Sequence, residues 1–265
     1  DKEALQWTYR GIKLVEEILR FEPDIIAIEE CDHLPFLMKY LSPKGYDSFY
    51  QIKDKSPISK IAAALSKERN QEIKMELDGV GLIYKTDKFD KCGDVQHISS
   101  DNKEKIFGLG VPLKIKSIDQ DVLFIVTHLK STKSQEGEEL RERQINLLLK
   151  ELIKNDKNLP VILCTDLNAN PIQNKKGYDP LCYNSIVDKD NLGYQSVYKL
   201  ANGKEPEYTT YKLREHGTDK HVLDYIFLKD GKWNIHSVLD IPSVASNENT
   251  DSLIPNWHYP SDHFS

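Results

Sequence analysis

Five polar clusters in this chain could do chemistry together: Ile28-Glu29-Glu30, Thr127-His128-Leu129-Lys130, Thr165-Asp166-Leu167-Asn168, Leu223-Asp224-Tyr225 and Pro260-Ser261-Asp262-His263. Most of them fall where an apolar run ends. Buried strands that each finish in a carboxylate, amide or imidazole point to one shared site at the strand ends. That mixture suits metal-assisted hydrolysis of a phosphate ester. Such an ester resists attack because its oxygens repel nucleophiles and its leaving alkoxide is poor. A protein lowers the barrier with a divalent cation, a positioned water and donors aimed at the developing charge. Mg2+ is the expected ion, since it favours carboxylate oxygen and water, often through one or two protein carboxylates. Mn2+ is the alternative.

Each side chain has a bland reading beside the chemical one. Glu30, the candidate metal ligand, would alone be a solvated residue after a strand. Asp166 and Asn168 alternate, so in an extended segment both face one side, where the carboxylate would orient or deprotonate a water and the amide would hold a phosphate oxygen. An Asx turn is the equal alternative for this Asp-Leu-Asn-Ala-Asn-Pro stretch. His128 leaves the core after an apolar run and could donate to a phosphoryl oxygen, although a lone strand-end histidine is more often structural. His263 needs an acceptor on its second nitrogen to act in catalysis. Asp224 could supply it, leaving Asp262 free to act near the metal. Lys53, Lys130 and Arg214 are the candidate phosphate-binding cations. Each taken singly reads as a solvated surface charge. His33, His97, His216, His221, His236 and His258 have no partner that spacing identifies.

The elements that must position these groups follow from periodicity. Leu5, Tyr9, Ile12, Val15, Ile18 and Leu19 recur at helical spacing, and Pro23 stops that helix. Residues 23–28 read as a short buried strand ending at Glu29 and Glu30, and residues 34–41 as a helix with Leu34, Leu37, Met38 and Leu41 on one face. The lysine-rich stretch 51–78 reads as a long surface loop of the kind that often contacts ligands. Strands are expected over 79–85, 111–117, 121–129, 160–168 and 221–229. A helix over 136–155 has an acidic first turn and buries Ile145, Leu148, Leu149 and Leu152. Strands that are apolar throughout are covered on both faces. The expectation is a layered α/β sandwich with helices outside and mainly antiparallel pairing, ahead of a doubly wound sheet.

With 265 residues, one domain is the simplest reading. The net charge of −6 disfavours a protein that tracks a long polyanion and suits a small phosphorylated substrate. No apolar run is long enough to span a bilayer, so no membrane partner is expected. The four cysteines show neither CxxC nor ligand spacing and read as reduced thiols of an intracellular protein. A cytoplasmic monomer is the default expectation, with mitochondria as a second compartment.

In order along the chain, PDIIAIEE, THLK, CTDLNANP, LDYIF and PSDH resemble the motifs of the endonuclease/exonuclease/phosphatase superfamily. The resemblance runs from about Leu5 to Ser265, interrupted in the lysine-rich loop and around 92–110. It implies a four-layer α/β/β/α sandwich and Mg2+ dependence. By motif, Glu30 would bind metal, His128 would stabilise the transition state, and Asp166 and Asn168 would position water and phosphate. Asp224 would orient His263, and Asp262 would support the metal.

The stretches EPEYTTYKLREHGTDKHVLDYIF and NWHYPSDH are similar to one branch of that superfamily, related in sequence to mRNA deadenylases. The reaction implied there is removal of the 2′-phosphate from NADP+ or NADPH, giving NAD+ or NADH, with Lys53, Lys130 and Arg214 at the substrate-binding basic positions. The alternative is a poly(A)-specific 3′–5′ exoribonuclease, and a non-catalytic module that kept the fold is a third reading. Two departures stand out. Glu29 occupies a position where the family has Gln, and Thr132, with Lys133 beside it, occupies one where the family often has Arg. The resemblance also implies that the family's first core strand, with a metal-site Asn, and its last would fall outside residues 1–265.

Overall fold

The computed structural model describes residues 3–53, 64–69, 78–99, 106–154, 159–173, 177–214, 217–241 and 254–264. Three apolar clusters define its layers. The first lies under α1 (Trp7–Phe21) and α2 (Leu34–Leu41), where Val15, Leu37 and Leu41 meet Ile83 of β3 (Gly79–Lys85). β3 is the centre of a three-stranded antiparallel sheet, flanked by β1 (Ile25–Ile28) and β2 (Tyr46–Ile52). Its alternate residues Val80, Leu82 and Tyr84 enter the second cluster, which lies between two sheets. There they meet Phe107, Leu109 and Val111 of β6 (Phe107–Ile115) and Val122, Phe124 and Val126 of β7 (Gln120–His128). The intervening residues Leu123 and Ile125 face the third cluster, beneath α3 (Gln135–Ile153) and α4 (Leu181–Val187). Period-two alternation in β3 and β7 thus builds helix, sheet, sheet and helix into a four-layer α/β/β/α sandwich.

The larger sheet has seven strands. It is ordered β4 (Phe89–Lys91), β6, β7, β8 (Val161–Asp166), β12 (Asp224–Lys229) and β9 (Gln195–Ser196), with β5 (Gln96–Ser99) also on β6. Among the described residues only β7 and β8 pair in parallel. α3 crosses between them, as a parallel connection requires. It settles closely because Gly108 and Gly110 of β6 lie beneath Leu148 and Leu152, where an added Cβ would approach their methyls to about 3 Å. A separate hairpin, β10 (Thr210–Arg214) and β11 (Gly217–His221), precedes β12.

The expected buried face of α3 is observed, with Ile145, Leu148, Leu149 and Leu152 all inaccessible. The first helix differs. It begins at Trp7, and Leu5 and Ile12 are exposed, because Gly11 faces α2 and Val15 carries the burial. The expected strand 221–229 is split at Val222-Leu223, since the preceding residues pair with β10 and not with β8. Within 51–78, residues 51–52 finish β2, 64–69 are helical, and 54–63 and 70–77 lie outside the described residues. Among the described residues no helix is long and apolar enough to cross a membrane.

Candidate active site

Strand register assembles the centre of the site. His128 pairs with Asp166 across β7 and β8, and Asp166 pairs with Asp224 across β8 and β12. Residues paired across neighbouring strands project from one face, so the three form a row. His128 lies two residues beyond Val126, so the row looks toward the smaller sheet, whose β1 ends beside Glu29 and Glu30. His128 and Asp166 are nearly buried, with side chains 7% and 10% exposed. Their nearest atoms, Nε2 and Oδ2, are 3.7 Å apart.

His263 comes from the chain's last described segment, held by backbone pairing with Thr210 and by the Phe264 N–H donating to the Thr209 carbonyl at 2.8 Å. Its Nδ1 lies 2.8 and 2.9 Å from the two Asp224 oxygens, as the sequence suggested. Thr209 Oγ1 donates to Asp224 Oδ2 at 2.5 Å and accepts the N–H groups of Leu223 and Asp224. The Asp224 carboxylate is therefore held from two sides. Burial opposes the charge on His263, but the hydrogen bond and negative charge of Asp224, with Asp166 and Asp262, outweigh it and raise its pKa to about 9. Burial and the Asp224 charge push Asp166 up to about 7. His128 falls to about 3, through burial and then the positive charges of Lys53, His263 and Lys130.

Asn168 corrects one expectation. Its segment is not extended there, because Asn168 adopts φ +52 and its N–H donates to Asp166 Oδ1 at 2.7 Å, closing an Asx turn. The turn itself serves the site. The Asn168 amide nitrogen donates to the Leu129 carbonyl at 3.1 Å and to His128 Nε2 at 3.0 Å. Neutral His128 thus carries its proton on Nδ1, which faces Glu30 Oε1 at 3.8 Å. Asp262 corrects another. It is not free, because Lys212 of β10 donates to its Oδ2 at 2.7 Å and also lies 3.4 Å from His263 Nε2.

Glu30 stands apart with φ +49 and a side chain 71% exposed. Withdrawal from solvent, then the charges of Asp224 and Asp166, push half-buried Glu29 up to about 8. Lys53 follows β2 with its ammonium over the Phe107 ring, and Lys130 is exposed at the rim. Arg214 ends β10, but its side chain lies outside the described residues. Thr209 and Lys212 were missed by the sequence reading. For Lys212 a signal existed, since Thr210, Lys212 and Arg214 share one face of a strand.

Asp166, Asp224 and His263 each bring a potential ligand atom within 4.8 Å of the others. His263 Nδ1 is already engaged by Asp224. What remains is carboxylate oxygen, a donor set that fits a hard divalent cation.

A layered sandwich with histidine and carboxylates at its strand ends defines a class of metal-assisted phosphohydrolases and nucleases. The chain belongs to the endonuclease/exonuclease/phosphatase family, whose model matches residues 1–263. The branch it is similar to is nocturnin. It is 30% identical to nocturnin of Drosophila melanogaster over 291 residues, covering 100% of this chain and 42% of that protein. It is 31% identical to nocturnin of Homo sapiens over 271 residues, covering 99% of this chain and 58% of that protein. The chain therefore spans roughly half the length of these two relatives. It superposes on the human nocturnin catalytic domain with bound sulfate anion at a TM-score of 0.71 and 26% identity, covering 98% and 84% of the two chains. A CCR4-NOT transcription complex subunit 6-like protein of Danio rerio is a more distant relative, 23% identical over 332 residues, with 99% of this chain and 57% of that protein covered.

Proposed function

We propose that this chain is a Mg2+-dependent phosphohydrolase that removes the 2′-phosphate of NADP+ and NADPH. The observation that carries the reading is the in-register row His128–Asp166–Asp224, completed by His263, below a short rim of cations. The charges of Lys53 and Lys130 converge on His128, which suits one compact phosphate group better than a long strand. The bound sulfate of the human nocturnin domain is a tetrahedral anion of the same kind.

Glu30 and Asp166 would hold the cation, which when bound withdraws charge from the phosphoryl oxygens. Asp166, at the centre of the row, is placed to orient the attacking water. Asn168, anchored by its turn, keeps the neutral His128 ring oriented. His263, charged at neutral pH against Asp224, offers its Nε2 proton to the phosphate.

The second reading, a poly(A) exoribonuclease, draws on the CCR4-NOT relative and uses the same row. Phosphate release with Mg2+ from NADPH and NADP+, run beside shortening of a labelled oligo(A), separates them. Release from the dinucleotides with intact RNA is expected. Shortened RNA with untouched dinucleotide transfers the assignment to the exoribonuclease.

A further inference from the structure

Directly after His128 the chain forms a strap, residues 130–134, that leads into α3 and displays Lys130. The helix grips this strap with side chains that the sequence pattern assigns to neither core nor site. Arg141 is fully buried, its side chain 1% exposed. One guanidinium nitrogen donates to two strap carbonyls, Lys130 O at 2.8 Å and Thr132 O at 2.7 Å. The other donates to Glu138 Oε1 at 2.6 Å, while Glu138 Oε2 accepts the Cys182 N–H of α4 at 3.3 Å. Gln144 Oε1 accepts the Lys130 N–H at 3.3 Å. At Gly137 an added Cβ would overlap the Thr132 carbonyl oxygen. At the strap's far end Lys133 donates to Asp219 of β11 at 3.1 Å, so its charge is committed to the protein.

A buried ion pair is weak support for stability, because desolvation offsets its attraction and apolar residues would fill the space as well. What apolar residues could not do is satisfy two carbonyls of one exposed strap while fixing their direction. A guanidinium presents several donors in a rigid fork, whereas lysine offers a single flexible ammonium. We propose that Arg141 is a positioning residue for phosphate recognition: through the backbone of Lys130 and Thr132 it holds the Lys130 side chain at the rim of the site. The proposal rests on reading Lys130 as a phosphate-binding group. It makes the strap a preset element, so that little ordering remains when phosphate binds.

The test compares the wild type, Arg141→Lys, Lys130→Ala and the double variant. Steady-state phosphate release from NADPH gives KM and kcat, and titration calorimetry with inorganic phosphate gives a binding constant without turnover. Arg141→Lys is expected to raise KM and weaken phosphate binding about tenfold with kcat within about twofold, and to add less than about twofold when Lys130 is already alanine. Full additivity in the double variant, or unchanged KM and phosphate affinity in a folded Arg141→Lys protein, overturns the proposal. If Arg141→Lys does not melt cooperatively, Gln144→Met, which removes the acceptor for the Lys130 N–H, enters the same cycle with the same expected split. Wild-type protein that binds phosphate but leaves NADPH intact overturns the substrate reading alone. Protein that does neither overturns both.

Discussion

The two sheets contribute to the site in opposite ways. In the larger sheet His128, Asp166 and Asp224 stand in consecutive register, and the first two are almost inaccessible. In the smaller sheet β1 delivers Glu30 in a left-handed conformation with its side chain 71% exposed, its Oε1 3.8 Å from His128 Nδ1. Ladder hydrogen bonds fix the first set before any ligand arrives. The second set is placed by a strand end that water still reaches. The larger sheet thus presents a preorganised row, and the smaller sheet an exposed carboxylate.

The strongest way to break this contrast is within the row. Asp166→Asn is expected to lower kcat by about 10²–10⁴ while making the protein more stable above pH 7. The sign follows from the raised pKa: a carboxyl that titrates at about 7 when folded and 3.8 when unfolded costs stability as pH rises through that window, and the cost persists above it. Kinetics and urea melts at pH 8 measure both, and a variant that is active or less stable would contradict the assignment. Glu30→Ala tests the other sheet. Activity should fall by at least about 10², yet metal-free melting should be unchanged because the side chain is exposed. Mg2+ added to EDTA-treated wild type should raise the melting temperature, more at pH 8 than at pH 6 because Asp166 gives up its proton near 7. This rise should shrink in Glu30→Ala.

A smaller effect sharpens the comparison at the histidine. His263 titrates at about 9 when folded against 6.5 unfolded, so its contribution is complete below pH 6.5 and is lost as pH rises through 9. The expected loss is on the order of 3 kcal/mol between pH 6 and 9.5, and His263→Gln should make that slope shallower in urea melts. A wild-type curve that is level across this range would remove the charged pair. The smallest effects belong to the rim. Lys53→Ala and Arg214→Ala should each raise KM by about three- to tenfold with little change in stability. Lys53→Ala should also raise the His128 pKa, read by NMR, since a positive neighbour has been withdrawn.

Particular residues show how far the sequence could be read. The partnership of Asp224 with His263 was accessible because an imidazole in catalysis needs an acceptor and Asp224 is a carboxylate at a strand boundary. The α3 face was accessible because apolar spacing alone specifies it. Asp262 was misjudged because its partner, Lys212, is 50 residues away on a hairpin with a weak apolar signal. Asn168 was read through an extended geometry that its positive φ rules out, though the competing Asx turn was visible in the same residues. Arg141 left no signal, since a buried arginine in an amphipathic helix looks like any solvated one.

By itself the sequence determined which residue types bound the strands and which helix faces are apolar, because these follow from local periodicity and composition. Tertiary structure decided which of those strand ends are neighbours, which charges are already neutralised and which carboxylate keeps its proton. Those properties depend on register and burial, and both arise only when segments distant in sequence exclude water from one another.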